Sequence, residues 1–266
     1  MFRLPHFKSP FSRCAAAIAA SAALLSLAEP GAGGSHARAQ TPVDLELVLA
    51  VDASASVDPF EYRLQMGGIA AAIRDEEVLE AIASGPLGRI GIAVTVWADA
   101  TLRKQHGEWF VVEDAASAEA FAGFVERFYR RISGGTGLGS GIAEAIRLME
   151  GNGLEGVRKV VDVSGDGVET PPRENVLLLP HARSMALARG VTVNGLAILT
   201  DVPDLADYYR EEVLAGPGAF VMAAGTYEDF AEAFRRKLIR EIEYRPPLSR
   251  LDREADTNGM NPASLN

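Results

Sequence analysis

Leu45-Glu46-Leu47-Val48-Leu49-Ala50-Val51 runs without a break into Asp52-Ala53-Ser54-Ala55-Ser56. The first seven residues are short and almost wholly apolar, the signature of a buried strand. The next five set one carboxylate and two hydroxyls, spaced by alanines, at the lip of the sheet which that strand enters. Hard oxygen donors of low total charge suit Mg²⁺ or a similar cation. Asp58-Pro59-Phe60-Glu61 follows as a helix entry, with Asp58 as N-cap, Pro59 at the first helical position and Glu61 completing a capping box. That cap is already filled, so Ser54 and Ser56 are free to bind something else.

Working outward, short apolar runs alternate with longer amphipathic stretches. Helices are expected from Pro59 to Arg74 and on to Ala83, broken by Gly85-Pro86-Leu87-Gly88. Strands are expected at Arg89–Trp97, Glu108–Val112, Val157–Val163, Val191–Leu199 and Ala219–Ala223. Between Trp97 and Glu108 there is no room for a helical crossover, so those two strands should pair antiparallel. Further helices are expected over Ser117–Ile132, with Phe121, Phe124, Val125 and Phe128 on one face, Leu138–Met149, Glu174–Ala188, Leu205–Leu214 and Tyr227–Ile242. This rhythm predicts an α/β fold. A mostly parallel sheet carries one antiparallel edge strand and helices on both faces. Ligands of such sheets bind at the carboxyl ends of the strands.

Composition bounds the function. The 266 residues are 48% hydrophobic, enough for one sizeable core or two small ones. Residues 1–39 read as a cleaved signal peptide. Arg3, Lys8 and Arg13 lead an Ala/Leu-rich run, Cys14 to Ala28, too short to span a bilayer, and Ala37-Arg38-Ala39 offers a cleavage site. Cleavage there removes four basic residues and one acidic, leaving 22 basic and 35 acidic, a formal net charge of −13. Such a surface repels nucleic acid and anionic lipid and favours cations or basic surfaces. The expected location is periplasmic or secreted, with no membrane span after cleavage. The mature chain would hold no cysteine and two histidines, His106 and His181, which excludes thiolate and three-histidine metal sites. Residues 43–245 are expected to form the domain, and 246–266, after Pro246-Pro247, a flexible tail.

Two more loops belong with the first. Thr136 stands among glycines in Ser133-Gly134-Gly135-Thr136-Gly137, directly before a helix, and Asp166 stands in Gly165-Asp166-Gly167, directly after a strand. In a parallel sheet all three loops share the carboxyl edge, so Asp52, Ser54, Ser56, Thr136 and Asp166 can converge on one cation. In order and spacing this set resembles the metal-ion-dependent adhesion site of von Willebrand factor A-type domains. Their pattern is DxSxS after the first strand, a Thr on a later loop and an Asp-Gly after the fourth core strand. The resemblance covers residues 43–242. The string Asp162-Val163-Ser164-Gly165-Asp166-Gly167 is also similar to a bacterial exported subgroup of unknown function. One departure is Gly165, where the commoner form has Thr.

The resemblance implies a Rossmann-like three-layer sandwich. It implies that the two serine hydroxyls bind the metal directly, Thr136 directly or through water, and the aspartates largely through water. With few carboxylates on it, Mg²⁺ (or Mn²⁺ or Ca²⁺) keeps a position open for an Asp or Glu of a protein partner. It also implies that such domains can switch by moving the last helix, here Tyr227–Ile242. Asp99 and Asp201 follow expected strands and read as solvated loop acids, with a place on the rim of the site as the alternative. The alternative is a structural or carrier protein with a passive cation site. Enzyme readings find less. Ser54 stands where a haloacid-dehalogenase-type phosphotransferase has its second Asp. Neither Ser140 nor Ser164 has G-x-S-x-G spacing. The glycines at 134–141 lack the Lys of a phosphate loop. His106 and His181 read as surface residues.

Overall fold

The computed structural model describes residues 40–170 and 177–244. The expected signal peptide, the tail from 246 and the expected helix start at Glu174 lie outside the described residues. The central strand β1 (Thr41–Asp52) lies between β2 (Ile90–Trp97) and β5 (Leu154–Gly165), parallel to both. β6 (Val191–Ile198) and β7 (Val221–Ala224) extend the sheet in parallel beyond β5. The other edge is antiparallel. Two short segments, β3 (Gln105–His106) and β4 (Phe110–Val112), share the flank of β2. The fold is therefore the expected α/β sandwich, with its antiparallel edge split in two.

Side-chain alternation along β1 builds a core on each face. Leu45, Leu47, Leu49 and Val51 pack against α1 (Pro59–Arg74), α2 (Glu76–Ala83), α3 (Ala115–Glu126) and α7 (Phe230–Glu243). Val48 and Ala50 pack against α4 (Leu138–Leu148), α5 (Leu179–Ala188) and α6 (Leu205–Tyr208) with the turn after it. α1 starts as its sequence dictates, with Asp58 accepting from Phe60 N and Glu61 N and Glu61 reaching back to Asp58 N.

Several boundaries differ from expectation, for tertiary reasons. β5 starts at Leu154 because its first residues pair with Thr41, Pro42 and Val43. α3 stops at Glu126 although Phe124 and Phe128 keep helical spacing and pack together, 5.4 Å between ring centroids. Tyr62 donates to Phe128 O, and Gln105 bonds both Tyr129 O and Arg131 N, so the chain is drawn out of the helix. After α6 the winding loosens into a π-helical turn, Tyr209–Val213.

A buried charge cluster, absent from the sequence reading, ties α7 to the sheet. Lys237 Nζ lies 2.5 Å from Asp162 Oδ1 and 2.6 Å from Glu241 Oε1, all three side chains sealed from solvent. Asn194 on β6 donates to Glu241 Oε1 and accepts from Phe220 N. Burial, then repulsion from Asp162, pushes the Glu241 carboxyl up to about 7, against the pull of Lys237.

Candidate metal centre

The ends of the three central strands coincide, since Asp52 pairs with Trp97 and Val51 with Ser164. The loops leaving that edge are stitched together by backbone bonds. Ala55 N donates to Gly134 O at 2.7 Å, joining the loop after β1 to the glycine loop. Gly137 N donates to Ala98 O at 3.1 Å, and Thr170 N to Thr136 O at 2.9 Å. A Cβ on Gly137 would stand 2.6 Å from both Ala98 O and Ala100 N, so only glycine allows this approach.

Four of the five expected residues meet side chain to side chain or charge to charge. Ser54 Oγ and Ser56 Oγ are 3.1 Å apart, and Ser56 Oγ donates to Asp166 Oδ1 at 2.7 Å. Asp52 Oδ1 accepts from Ser54 N at 2.7 Å, and Asp166 Oδ2 accepts from Tyr227 OH at 2.9 Å. Thr136 is less tightly joined. Its hydroxyl borders Gly167, 3.5 Å from where a Cβ there would be, and its N–H donates to Thr170 Oγ1. Asp52, Ser54 and Asp166 are buried, Thr136 half-buried and Ser56 exposed. The set thus opens to solvent from the serine side.

Electrostatics favour a cation. Burial, then the charge of Asp166, pushes the Asp52 carboxyl up to about 7. Asp52 Oδ2 has no hydrogen-bond partner among the described residues. Two buried carboxylates repel each other there, and a bound cation would remove that cost. Among the described residues no three His, Cys, Asp or Glu side chains are placed to share a metal ion. A cation here would complete its shell with hydroxyls and water, as a hard ion accepts. The donor set fits.

Gly165 makes room for this arrangement. A Cβ there would stand 2.7 Å from Asp52 Oδ2 and 2.9 Å from Tyr209 OH. Gly165→Ala should therefore cost about 1–3 kcal/mol by overpacking and weaken cation uptake. Urea melts with and without Mg²⁺ check it, and an unchanged midpoint and metal response would refute the packing argument.

The neighbours refine the expectations. Asp99 Oδ1 accepts from Thr101 N and Oγ1, and its carboxylate lies against Gly135. Asp201 is exposed on the turn after β6. His106 is no plain surface residue, being half-buried with Nδ1 3.1 Å from Thr95 Oγ1 and Nε2 3.2 Å from Glu144. Ser140 donates to Gly137 O, and Ser164 to Gln65 Oε1. Glu169 escaped the sequence reading. Its two oxygens accept from Gly139 N and Leu179 N, capping α4 and α5 together. No local signal marks that role, since its partners lie 30 and 10 residues away.

Comparison with solved structures gives the same fold. Proximal thread matrix protein 1 (PTMP1) from the mussel byssus aligns with TM-score 0.53 and 19% identity, over 77% of this chain and 47% of that one. The same protein with a zinc-occupied MIDAS motif aligns with TM-score 0.51 and 20% identity, over 76% of this chain and 46% of that one. The pilus adhesin SpaC from Lactobacillus rhamnosus GG aligns with TM-score 0.52 and 14% identity, over 76% of this chain and 31% of that one. The chain thus spans less than half the length of each. Among the described residues no helix is long and apolar enough to cross a membrane. No curated protein sequence matches the chain. A family profile described as "Protein of unknown function (DUF1194)" matches residues 42–246. The chain therefore belongs to the DUF1194 family and carries a von Willebrand factor A-type fold.

Proposed function

We propose that the mature chain is an exported binding module that holds a protein partner through a divalent cation at Asp52, Ser54, Ser56, Thr136 and Asp166. The observation that carries this reading is the buried Asp52–Asp166 pair, joined by Ser54 and Ser56 at the carboxyl edge, with an unpartnered carboxylate oxygen. A bound cation would present an open coordination position to an Asp or Glu of the partner. Mg²⁺ suits best, with Mn²⁺ or Ca²⁺ as substitutes, because the set has few charges and small oxygen donors. Ser56 and Asp166 hold one another in place beforehand, so little ordering remains when the cation arrives.

The surroundings support an acidic partner. Arg130 donates from its guanidinium to Val57 O, next to Ser56. Beside it lies a groove of about 540 Å³ between α1 and the segment after α3, lined by Tyr62, Arg63, Met66, Phe128, Tyr129 and Arg130. Glu126 on its wall is ion-paired with Arg74 and feels the charge of Arg127, whereas Arg63 and Arg130 form no salt bridge among the described residues. On a chain of net negative charge, this arginine rim and the cation together draw a carboxylate.

Calorimetry tests the reading. Wild type should release or absorb heat on titration with Mg²⁺ or Mn²⁺, and Asp52→Ala should lose that heat. Equal heats in the two would end the proposal. Capture of an envelope partner that EDTA abolishes separates this function from a passive cation site, for which EDTA makes no difference.

A further inference from the structure

Three polar atoms sealed from solvent surround Gly165 with no hydrogen-bond partner among the described residues: Asp52 Oδ2, Trp97 Nε1 and Tyr209 OH. They border one small space. The Cβ that Gly165 lacks would stand 2.7 Å from Asp52 Oδ2, 2.9 Å from Tyr209 OH and 3.3 Å from Trp97 Cζ2, a ring carbon two bonds from the indole nitrogen. Their chemistry is complementary. An indole N–H only donates, a phenol donates, and a carboxylate oxygen accepts.

The chain goes to some length to bring Tyr209 there. The helix after β6 changes from α to π winding at this residue, and its side chain is fully buried. A second glycine, Gly195, admits the ring, since a Cβ there would stand 2.8 Å from Tyr209 Cδ1. Phenylalanine would fill the same space without sealing an unpartnered hydroxyl away from water, which is unfavourable. Single-turn π segments inside helices recur where a side chain must be aimed at a functional site.

We propose that Tyr209, aided by Trp97, is a positioning residue of the cation site, its hydroxyl closing on the inner oxygen of the Asp52 carboxylate when a cation binds. The other oxygen is already fixed by Ser54 N at 2.7 Å. Held then at both oxygens, the carboxylate would keep one orientation toward the cation, as outer partners hold metal ligands elsewhere. The inference rests on the cation-site reading above and assigns it two residues from outside the three loops.

Tyr209→Phe tests it, because it removes one oxygen and keeps the ring. In EDTA its melting temperature should match or exceed that of wild type, since the hydroxyl lost had no partner. Its Kd for Mg²⁺ by calorimetry should weaken about tenfold. The wild-type chain supplies a second readout that needs no variant. It has two tryptophans, and Trp109 Nε1 already donates to Leu148 O at 3.1 Å. In ¹H–¹⁵N spectra, Mg²⁺ should shift the Trp97 indole signal and leave that of Trp109 in place. A wild-type Kd in Tyr209→Phe, or a stationary Trp97 signal while wild type binds Mg²⁺, overturns the positioning role alone. Absence of Mg²⁺ binding by wild type overturns the cation site and this role with it.

Discussion

Lys237→Met should lower the stability of the domain by about 3–5 kcal/mol, because it strands two carboxylates in the core. Lys237, Asp162 and Glu241 are all sealed from solvent, and Lys237 is the cation that both acids face. Asp162 Oδ2 and Glu241 Oε2 have no other partner among the described residues. Asn194 reaches only Oε1 of Glu241. For a domain of this size the loss corresponds to a drop in melting temperature on the order of 10 °C. Replacing the whole set, Lys237→Met with Asp162→Leu and Glu241→Met, should recover most of it, since apolar side chains of similar volume need no charge compensation. Thermal melts of the single and triple variants decide the matter. A single variant within about 1 kcal/mol of wild type would mean that the acids are neutral or hydrated and the pair is idle.

In EDTA the chain should become less stable as the pH rises from about 4 to 7, the reverse of an ordinary acidic protein. Asp52 is raised from 3.8 to about 7 and Glu241 from 4.5 to about 7. A group raised in the folded state holds its proton there while the unfolded chain has lost it. Its contribution is whole below the unfolded value and disappears as pH climbs through the folded one. For Asp52 the full swing is on the order of 4 kcal/mol. The carboxyls lowered by surface partners, Asp114, Glu119, Glu126 and Glu232, act in the opposite sense but below their ordinary values, and they are exposed. Saturating Mg²⁺ should restore stability at pH 7.5, by about 2.7 kcal/mol at a hundredfold excess over Kd. Asp52→Asn should remove its share of the pH slope, leaving that of Glu241, and abolish the Mg²⁺ response. Melting temperatures across pH 4–8, with EDTA or Mg²⁺, provide the check. A steady rise with pH in EDTA would show that Asp52 ionises without penalty.

What the sequence disclosed was local. The apolar run ending in Asp52, the Asp58-Pro59-Glu61 entry and the glycine-flanked Thr136 and Asp166 each declare themselves within a few residues. Their order along the chain was enough to anticipate the sheet and to bring the three loops to one edge. What stayed hidden depends on partners distant in sequence. Lys237 and Glu241, four apart on a helix, carry the spacing of an exposed ion pair; only Asp162, on a central strand, makes them a core cluster. Tyr208-Tyr209 looks like ordinary helix, and nothing local announces a π turn or a hydroxyl buried beside Gly165. The end of α3 was missed for a similar reason, because bonds from Tyr62 and Gln105 override a helical pattern of phenylalanines.

The buried lysine also bears on motion. A slide of α7 by one turn, about 5.4 Å, would carry Lys237 and Glu241 together, pulling Nζ away from Asp162 and Glu241 away from Asn194. It would also part Tyr227 from Asp166, breaking contacts at both ends of the segment at once. The last helix is thus bolted to the sheet and is no free piston. Rearrangement on occupancy is cheapest in the three loops, and a partner that needed the helix displaced would first have to draw the bolt.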